Sequence, residues 1–126
     1  MASNLAPSLM VVGDDASFRY LIERYAKKIA CSVRFILPTE DVLEVVLREA
    51  PGAVMIELDA PDRRGKDALI ALRMHPDTQQ IPVIVCSWCN EVEADLEGQP
   101  AHYLQKPILY DDFQTVLMDV RHPPHL

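Results

Sequence analysis

A single carboxylate at the end of a short apolar run is the feature of this sequence with the clearest chemical use. Glu57 ends the run formed by residues 54–56, Pro61 follows four residues later, and Gly65 comes four residues after that. The apolar run is typical of a buried strand. Open α/β sheets bind their ligands at the carboxyl ends of the strands. The pattern therefore places the Glu57 carboxylate where a ligand site is expected.

A C-x-x-C sequence is the second candidate for chemistry. Cys86 closes the apolar run 81–86, and Cys89 lies three residues later. A redox dithiol sits at a helix N-terminus, which lowers the thiol pKa. Cys86 within a strand is more simply a buried small residue, so a dithiol redox protein remains an alternative. Zinc is disfavoured because no second Cys/His pair has ligand spacing, and His122 and His125 lie in a proline-rich tail.

Strand-like and helix-like patterns that could position these groups alternate five times. Strands are expected at residues 9–12, 33–37, 53–58, 81–86 and 101–104. Helices are expected at about 18–29, after Pro38 with Thr39 as the cap, at 66–74, at 90–98, and from Tyr110 until Pro123. Five βα units with apolar strands predict a parallel sheet covered on both faces. The pattern is that of a doubly wound α/β domain.

Apolar residues at helical spacing predict the buried face of three of these helices. The expected inward positions are Phe18, Leu21, Ile22, Tyr25, Ala26 and Ile29 in the first helix, Leu43, Val46, Leu47 and Ala50 in the second, and Phe113, Val116, Leu117 and Val120 in the last.

Composition limits the classes of protein to which the chain could belong. The 126 residues suffice for one domain, and 49% hydrophobic with 25% charged residues is ordinary for a globular protein. No apolar run approaches the roughly 18 residues of a membrane span. The start lacks a signal peptide and three cysteines cannot all pair, so a reducing cytoplasm is expected. A net charge of −7 argues against nucleic acid as a partner.

The order of these features closely resembles that of bacterial response-regulator receiver domains, the CheY-like family, whose phosphoacceptor is Asp. The matching positions are Gly13-Asp14 after the first strand, Glu57 ending the third, Ser87 ending the fourth and Lys106-Pro107 after the fifth, with Pro61 and Gly65 in register. The resemblance covers essentially the whole chain. It implies one flavodoxin-like (βα)5 domain over residues 1–126 with strand order 2-1-3-4-5 and short disordered ends at 1–7 and 122–126.

The resemblance also implies a role for each site residue. In the family, acids after the first strand, the acceptor and a backbone carbonyl hold Mg²⁺, which prefers oxygen ligands. The lysine and the hydroxyl bind the transferred phosphoryl group. By resemblance, Asp14 and Glu57 are metal-ligand positions, Ser87 and Lys106 are phosphoryl-binding positions, and Tyr103 is the aromatic residue that turns inward on phosphorylation.

Three residues depart from the family pattern around this pocket. Gly13 stands where the first acid belongs, so weak Mg²⁺ binding or none is expected. Using Asp14 and Asp15 as the acidic pair instead would need one extra residue after the strand; otherwise Asp15 points elsewhere. Asp59 would supply a compensating carboxylate, although a solvated loop acid is the simpler interpretation. Trp88 replaces a small residue and is expected either to close the pocket mouth or to fill the space of the switch aromatic.

Glu57, which stands where the family has Asp, is the remaining departure, and the functional prediction depends on it. Its carboxylate extends about one C–C bond further than that of Asp, so it is expected to reach Lys106 and Ser87 without phosphate. It carries about −1 charge, against −1.5 to −2 for a phosphoryl group. These changes together predict a receiver-like domain that is not switched by aspartyl phosphorylation.

The resulting functional prediction is a protein-binding module of bacterial two-component or phosphorelay signalling, and not an enzyme. Its partner surface, by resemblance, is the fourth helix, fifth strand and fifth helix; a homodimer is also open, and a membrane partner is not expected. A receiver that still switches through residual Mg²⁺, phosphoryl or small-anion binding is the first alternative. The fourth predicted helix has an acidic face and the first has a basic face. The simpler interpretation is that both faces are solvated; the alternative is that they steer different partners or form head-to-tail contacts between copies of the chain. The acidic residues are Glu91, Glu93, Asp95 and Glu97, and the basic residues are Arg19, Arg24, Lys27 and Lys28.

Overall fold

The computed structural model describes residues 8–59, 63–89 and 102–121. Its elements in chain order are β1 (Ser8–Val12), α1 (Ala16–Lys28), β2 (Ser32–Ile36), α2 (Val42–Glu49), β3 (Ala53–Glu57), α3 (Arg64–Met74), β4 (Val83–Ser87), β5 (His102–Gln105) and α4 (Tyr110–Arg121). Every strand lies within two residues of its predicted position. The helix predicted at 90–98 and the disordered ends predicted at 1–7 and 122–126 fall outside the described residues.

The five strands form one parallel sheet in the order β2-β1-β3-β4-β5. This order confirms the predicted doubly wound, flavodoxin-like architecture. None of the helices in the described ranges is long and apolar enough to cross a membrane.

Alternate residues of the strands supply two core layers, one on each face of the sheet. In β1, Leu9 and Val11 pack on one side while Met10 and Val12 pack on the other. The first layer is completed by α1 and α4, and the second by α2 and α3. Because both faces are covered, the central strands are continuously apolar, and only their ends carry polar groups.

Helix α1 begins beside the carboxyl ends of the strands. Its N-cap is Asp15, whose carboxylate accepts a hydrogen bond from the backbone N–H of Phe18 at 3.3 Å. The predicted apolar face is confirmed: Phe18, Ile22 and Ala26 are buried, and Leu21, Tyr25 and Ile29 pack against them. The predicted face of α4 is confirmed as well, with Phe113 and Leu117 buried and Val116 and Val120 partly buried.

The predicted start of α2 is wrong, and its predicted buried face is confirmed for Val46 and in part for Leu43 but wrong for Leu47 and Ala50. Asp41, not Thr39, is the N-cap, and its carboxylate accepts from the Glu44 N–H at 3.1 Å. The helix buries Val42, Val45 and Val46 and partly buries Leu43. Leu47 is 40% exposed, and Ala50 ends the helix at φ 47°. Because five of the six residues from 42 to 47 are apolar, the sequence leaves the choice of the inward face open.

Candidate functional site

The Lys106 ammonium lies between two carboxylates at the carboxyl edge of the sheet. Lys106 follows β5 directly, and its N–H donates to the Ser87 carbonyl at 2.8 Å, which fixes where the side chain starts. The ammonium forms a very short contact with Glu57 Oε2 and lies 2.8 Å from Asp59 Oδ2. The side chains of Lys106 and Glu57 are only 9% and 8% exposed. One buried cation is therefore shared by two anions.

The charges of this cluster shift one another's ionisation. Burial raises the pKa of Glu57, although the hydrogen bond and charge of Lys106 offset part of that effect. Burial alone would raise the pKa of Asp59 too, but hydrogen bonds from Lys106, Trp88 and Ser87 lower it on balance. Burial disfavours the ammonium of Lys106, yet its bonds to both carboxylates raise its pKa. The site favours a charged Asp59 and a charged Lys106.

Asp59 is a member of the site and not a solvated loop acid, which corrects the simpler interpretation from sequence. Its Oδ1 atom accepts from the Ser87 hydroxyl at 2.9 Å and from the Trp88 backbone N–H at 3.0 Å. The Ser87 hydroxyl was expected to meet Glu57, but it donates to Asp59. The sequence signal that was available is the position of Asp59, two residues past the end of β3.

The side chain of Glu57 fills the space that a side chain at position 13 would need. A Cβ atom at position 13 would lie 2.9 Å from Glu57 Oε1 and 3.3 Å from Glu57 Cβ. Contacts this close are not tolerated without a shift of the neighbour. The longer carboxylate therefore fits because position 13 carries no side chain. The sequence had presented these as two separate departures.

The described residues do not fit a bound Mg²⁺ ion. Asp14 is exposed, Asp15 caps α1, and the carboxylates of Glu57 and Asp59 face the Lys106 ammonium. Within the described ranges, no group of three or more His, Cys, Asp or Glu side chains is arranged to hold a metal. The Lys106 ammonium occupies the position between the two carboxylates where a cation would bind.

Trp88 borders a small cavity next to this cluster. Its side chain is 61% exposed, and its ring centroid lies 5.9 Å from Lys106 Nζ, with that of Phe18 at 4.9 Å. The cavity of about 170 Å³ is lined by Asp15, Ser17, Phe18, Leu21, Trp88, Lys106, Pro107 and Ile108. Trp88 thus lies at the pocket mouth, and two aromatic rings shield the ammonium.

Tyr103 is tied to the segment that follows β4. Its hydroxyl donates to the Cys89 carbonyl, and the half-buried ring packs against the core layer of α2 and α3. The Cys89 N–H in turn donates to the Ser87 hydroxyl oxygen at 3.0 Å. Residues 87–89 are therefore held both by the loop after β3 and by β5.

The cysteines of the C-x-x-C sequence lie in different environments. Cys86 is completely buried in β4, and burial raises the pKa of its thiol far above the ordinary value. Cys89 is exposed, and both cysteines are free thiols. A thiol with a raised pKa is a poor nucleophile, so this environment is unlike that of a catalytic dithiol.

Comparisons with known proteins identify the class of fold. A candidate response regulator from Chloroflexus aurantiacus superimposes with a TM-score of 0.82 at 21% identity, covering 92% of this chain and 98% of the other. The chemotaxis protein CheY4 of Vibrio cholerae gives 0.79 at 17% identity, covering 91% and 98%. The receiver domain of the sensor histidine kinase PA1611 from Pseudomonas aeruginosa, which has magnesium in its active-site cleft, gives 0.75 at 17% identity, covering 92% and 98%. The chain has the fold of response-regulator receiver domains.

A sequence relative points in the same direction. The transcriptional regulatory protein YxdJ of Bacillus subtilis is 26% identical over 103 residues, which is 82% of this chain and 45% of that regulator. The chain thus spans less than half the length of this relative. No protein-family model matches the sequence.

Proposed function

We propose that this chain is a receiver domain of two-component signalling that acts as a protein-binding module without aspartyl phosphorylation. The observation that carries this proposal is the shared ammonium of Lys106. In the family that the sequence resembles, this lysine binds the phosphoryl group. Here its charge is already offset by Glu57 and Asp59.

The rest of the site supports the same proposal. The acceptor position holds Glu57 in place of Asp, and its carboxylate oxygen Oε2 is already bonded to the Lys106 ammonium. Position 13 offers no carboxylate for a metal, and Glu57 fills the space that one would need.

The partner surface is proposed from what remains exposed next to the site. β5 and α4 form one side of the sheet edge, where Leu109 and Met118 are 60% and 56% exposed. The predicted fourth helix would complete this surface, although residues 90–98 lie outside the described ranges. A partner protein or a second copy of the chain, in the cytoplasm, is the proposed occupant.

The test is the response to a phosphoryl analogue. Beryllofluoride with Mg²⁺ should leave the fluorescence of Trp88, the only tryptophan, unchanged in the native protein. The double variant Gly13→Asp with Glu57→Asp supplies the matched control, since it restores both acids of the family pattern. A saturable fluorescence change in the native protein would contradict the proposal and favour the alternative of a receiver that still switches.

The dithiol alternative has a direct test of its own. Mild oxidation followed by mass mapping would reveal a Cys86–Cys89 disulfide in a redox protein. Because Cys86 is buried and its thiol pKa is raised, we expect no such disulfide in the folded chain. Its rapid, reversible formation would establish the redox function instead.

A further inference from the structure

Three hydrogen-bond donors from the ends of two strands converge on one carboxylate. The Ser87 hydroxyl and the Trp88 backbone N–H reach Asp59 Oδ1 at 2.9 and 3.0 Å. The Lys106 ammonium lies 2.8 Å from Asp59 Oδ2. Asp59 itself comes from a third place, the loop after β3.

Such a set of donors is the physical description of an oxyanion site. A hydroxyl, an amide and an ammonium, held by separate elements and pointing at one place, stabilise negative charge that is delivered there. Hydrogen bonds from these three donors hold the pKa of Asp59 below its ordinary value, even though burial opposes this. The donors exist independently of Asp59, because two of them belong to β4 and its following residue and the third follows β5.

We propose that the side chain of Asp59 is the permanent ligand of the oxyanion site that Ser87 Oγ, the Trp88 N–H and the Lys106 ammonium form; Ser87 and Lys106 are the phosphoryl-binding positions that the family resemblance implies. The inference rests on the proposed function, since a site filled by the chain itself has no room for a transferred phosphoryl group. It assigns the role of resident anion to Asp59 and not to Glu57. Glu57 contacts Lys106, whereas the Ser87 hydroxyl and the Trp88 N–H both donate hydrogen bonds to Asp59.

The direction of the hydrogen bonds shows how this ligand orders the neighbouring segment. An ionised carboxylate only accepts, so the single proton of the Ser87 hydroxyl must point toward Asp59. The Ser87 oxygen is then free to accept from the Cys89 N–H at 3.0 Å. The Cys89 carbonyl accepts from the Tyr103 hydroxyl. Asp59 is therefore a positioning residue for residues 87–89 and for Tyr103.

Chemical rescue tests this inference. In Asp59→Ala, the three donors lose their ligand and residues 87–89 should loosen. We expect an altered Trp88 fluorescence and about tenfold faster hydrogen exchange of the Trp88 and Cys89 backbone amides, the change that corresponds to one charge-assisted hydrogen bond. Acetate should reverse both effects saturably. Chloride at equal ionic strength should have no effect.

The controls use positions that the structure separates from the site. Acetate should not change native protein, because its oxyanion site is already filled. Asp77→Ala removes an exposed aspartate from the opposite edge of the sheet and should behave as native. The backbone amides of the buried Cys31 and Cys86 serve as internal references, since faster exchange there would report unfolding and not local loosening.

A second variant keeps the inference testable if Asp59→Ala fails to fold. Ser87→Ala removes one donor and the acceptor of the Cys89 N–H, so hydrogen exchange of the Cys89 amide should accelerate and acetate should not restore it. Unchanged amide exchange in both variants, or acceleration in Asp59→Ala that acetate does not reverse, would overturn the inference. A beryllofluoride response of native protein would instead overturn the proposed function, whatever the outcome of the rescue.

Discussion

At the acceptor position, the additional methylene of Glu57 is accommodated because residue 13 has no side chain: a Cβ atom there would lie 2.9 Å from Glu57 Oε1. The Glu57 carboxylate cannot move away freely, since its other oxygen bonds to Lys106. A change at either position is therefore felt at the other. Neither residue can be interpreted alone.

Gly13→Ala should consequently destabilise the native protein by about 1–2 kcal/mol through overpacking. In a Glu57→Asp background the same change should cost less, because the shorter carboxylate leaves room for the Cβ atom. Urea unfolding of the four proteins in this double-mutant cycle measures the coupling free energy. Additive effects of the two changes would show that the contact is not limiting.

Lys106→Met should destabilise the protein by about 3 kcal/mol, because it leaves two neighbouring carboxylates without their counter-charge. The loss should be smaller at pH 5 than at pH 8. The pKa of Glu57 is already raised in the folded state, and removal of the ammonium raises it further, so the protonated folded form is favoured at low pH and this advantage is lost as pH rises.

Urea unfolding at the two pH values checks this prediction. Lys27→Met provides the control, since Lys27 is an exposed lysine of α1 and its replacement should have the same small effect at both. An equal loss at pH 5 and pH 8 for Lys106→Met would contradict the expected role of Glu57.

At the scale of elements, the strands could be predicted well, whereas the cap and half of the buried face of α2 could not. The strands are buried on both faces, so each appears in the sequence as an apolar run with a clear beginning and end. Thr39 and Asp41 are both acceptable caps, and only the folded chain shows that Asp41 is the one used. Helix α2 has apolar residues at positions 42, 43, 45, 46 and 47, so the sequence does not single out the ones that face inward.

Alanine substitutions on α2 should reproduce the observed face. Val46→Ala should cost about 2 kcal/mol, because it leaves a cavity in a fully buried position. Leu47→Ala should cost less than about 1 kcal/mol, because Leu47 is 40% exposed. Thermal or urea unfolding distinguishes the two; a loss at Leu47 as large as that at Val46 would favour the face predicted from sequence, which contained both residues.

At the scale of the whole molecule, the sequence placed the site but not its internal connections. Glu57, Ser87 and Lys106 each directly end or follow a strand, and a parallel sheet brings such positions together. Asp59 lies in a loop, where no periodicity reveals what the side chain meets. Its partners, and the link between Tyr103 and Cys89, depend on distances between elements that only the folded chain defines.

The free energy of unfolding should depend on pH through the ionisation of Asp59. Its folded-state pKa is lowered, so its carboxylate stabilises the protein above its ordinary pKa of about 3.9. That stability is lost as pH falls through the lowered folded-state value. The difference in unfolding free energy between native protein and Asp59→Asn should therefore be constant near neutrality and shrink toward pH 2.

A series of urea unfolding curves between pH 2 and pH 7 measures that difference. Asp77→Asn serves as the reference, because the exposed Asp77 lies outside the cluster. A difference that grows on acidification would mean that the folded-state pKa of Asp59 is raised above its ordinary value.

The lack of room for a side chain at position 13 beside Glu57 also determines the order in which a phosphorylatable site could be rebuilt. Introducing an acid at position 13 first would place a second carboxylate against the Glu57 oxygen, so that intermediate is both crowded and doubly charged. Shortening Glu57 first only opens a small space. Laboratory selection for regained phosphorylation should therefore pass through Glu57→Asp before Gly13→Asp, and lineages that begin at position 13 should disappear.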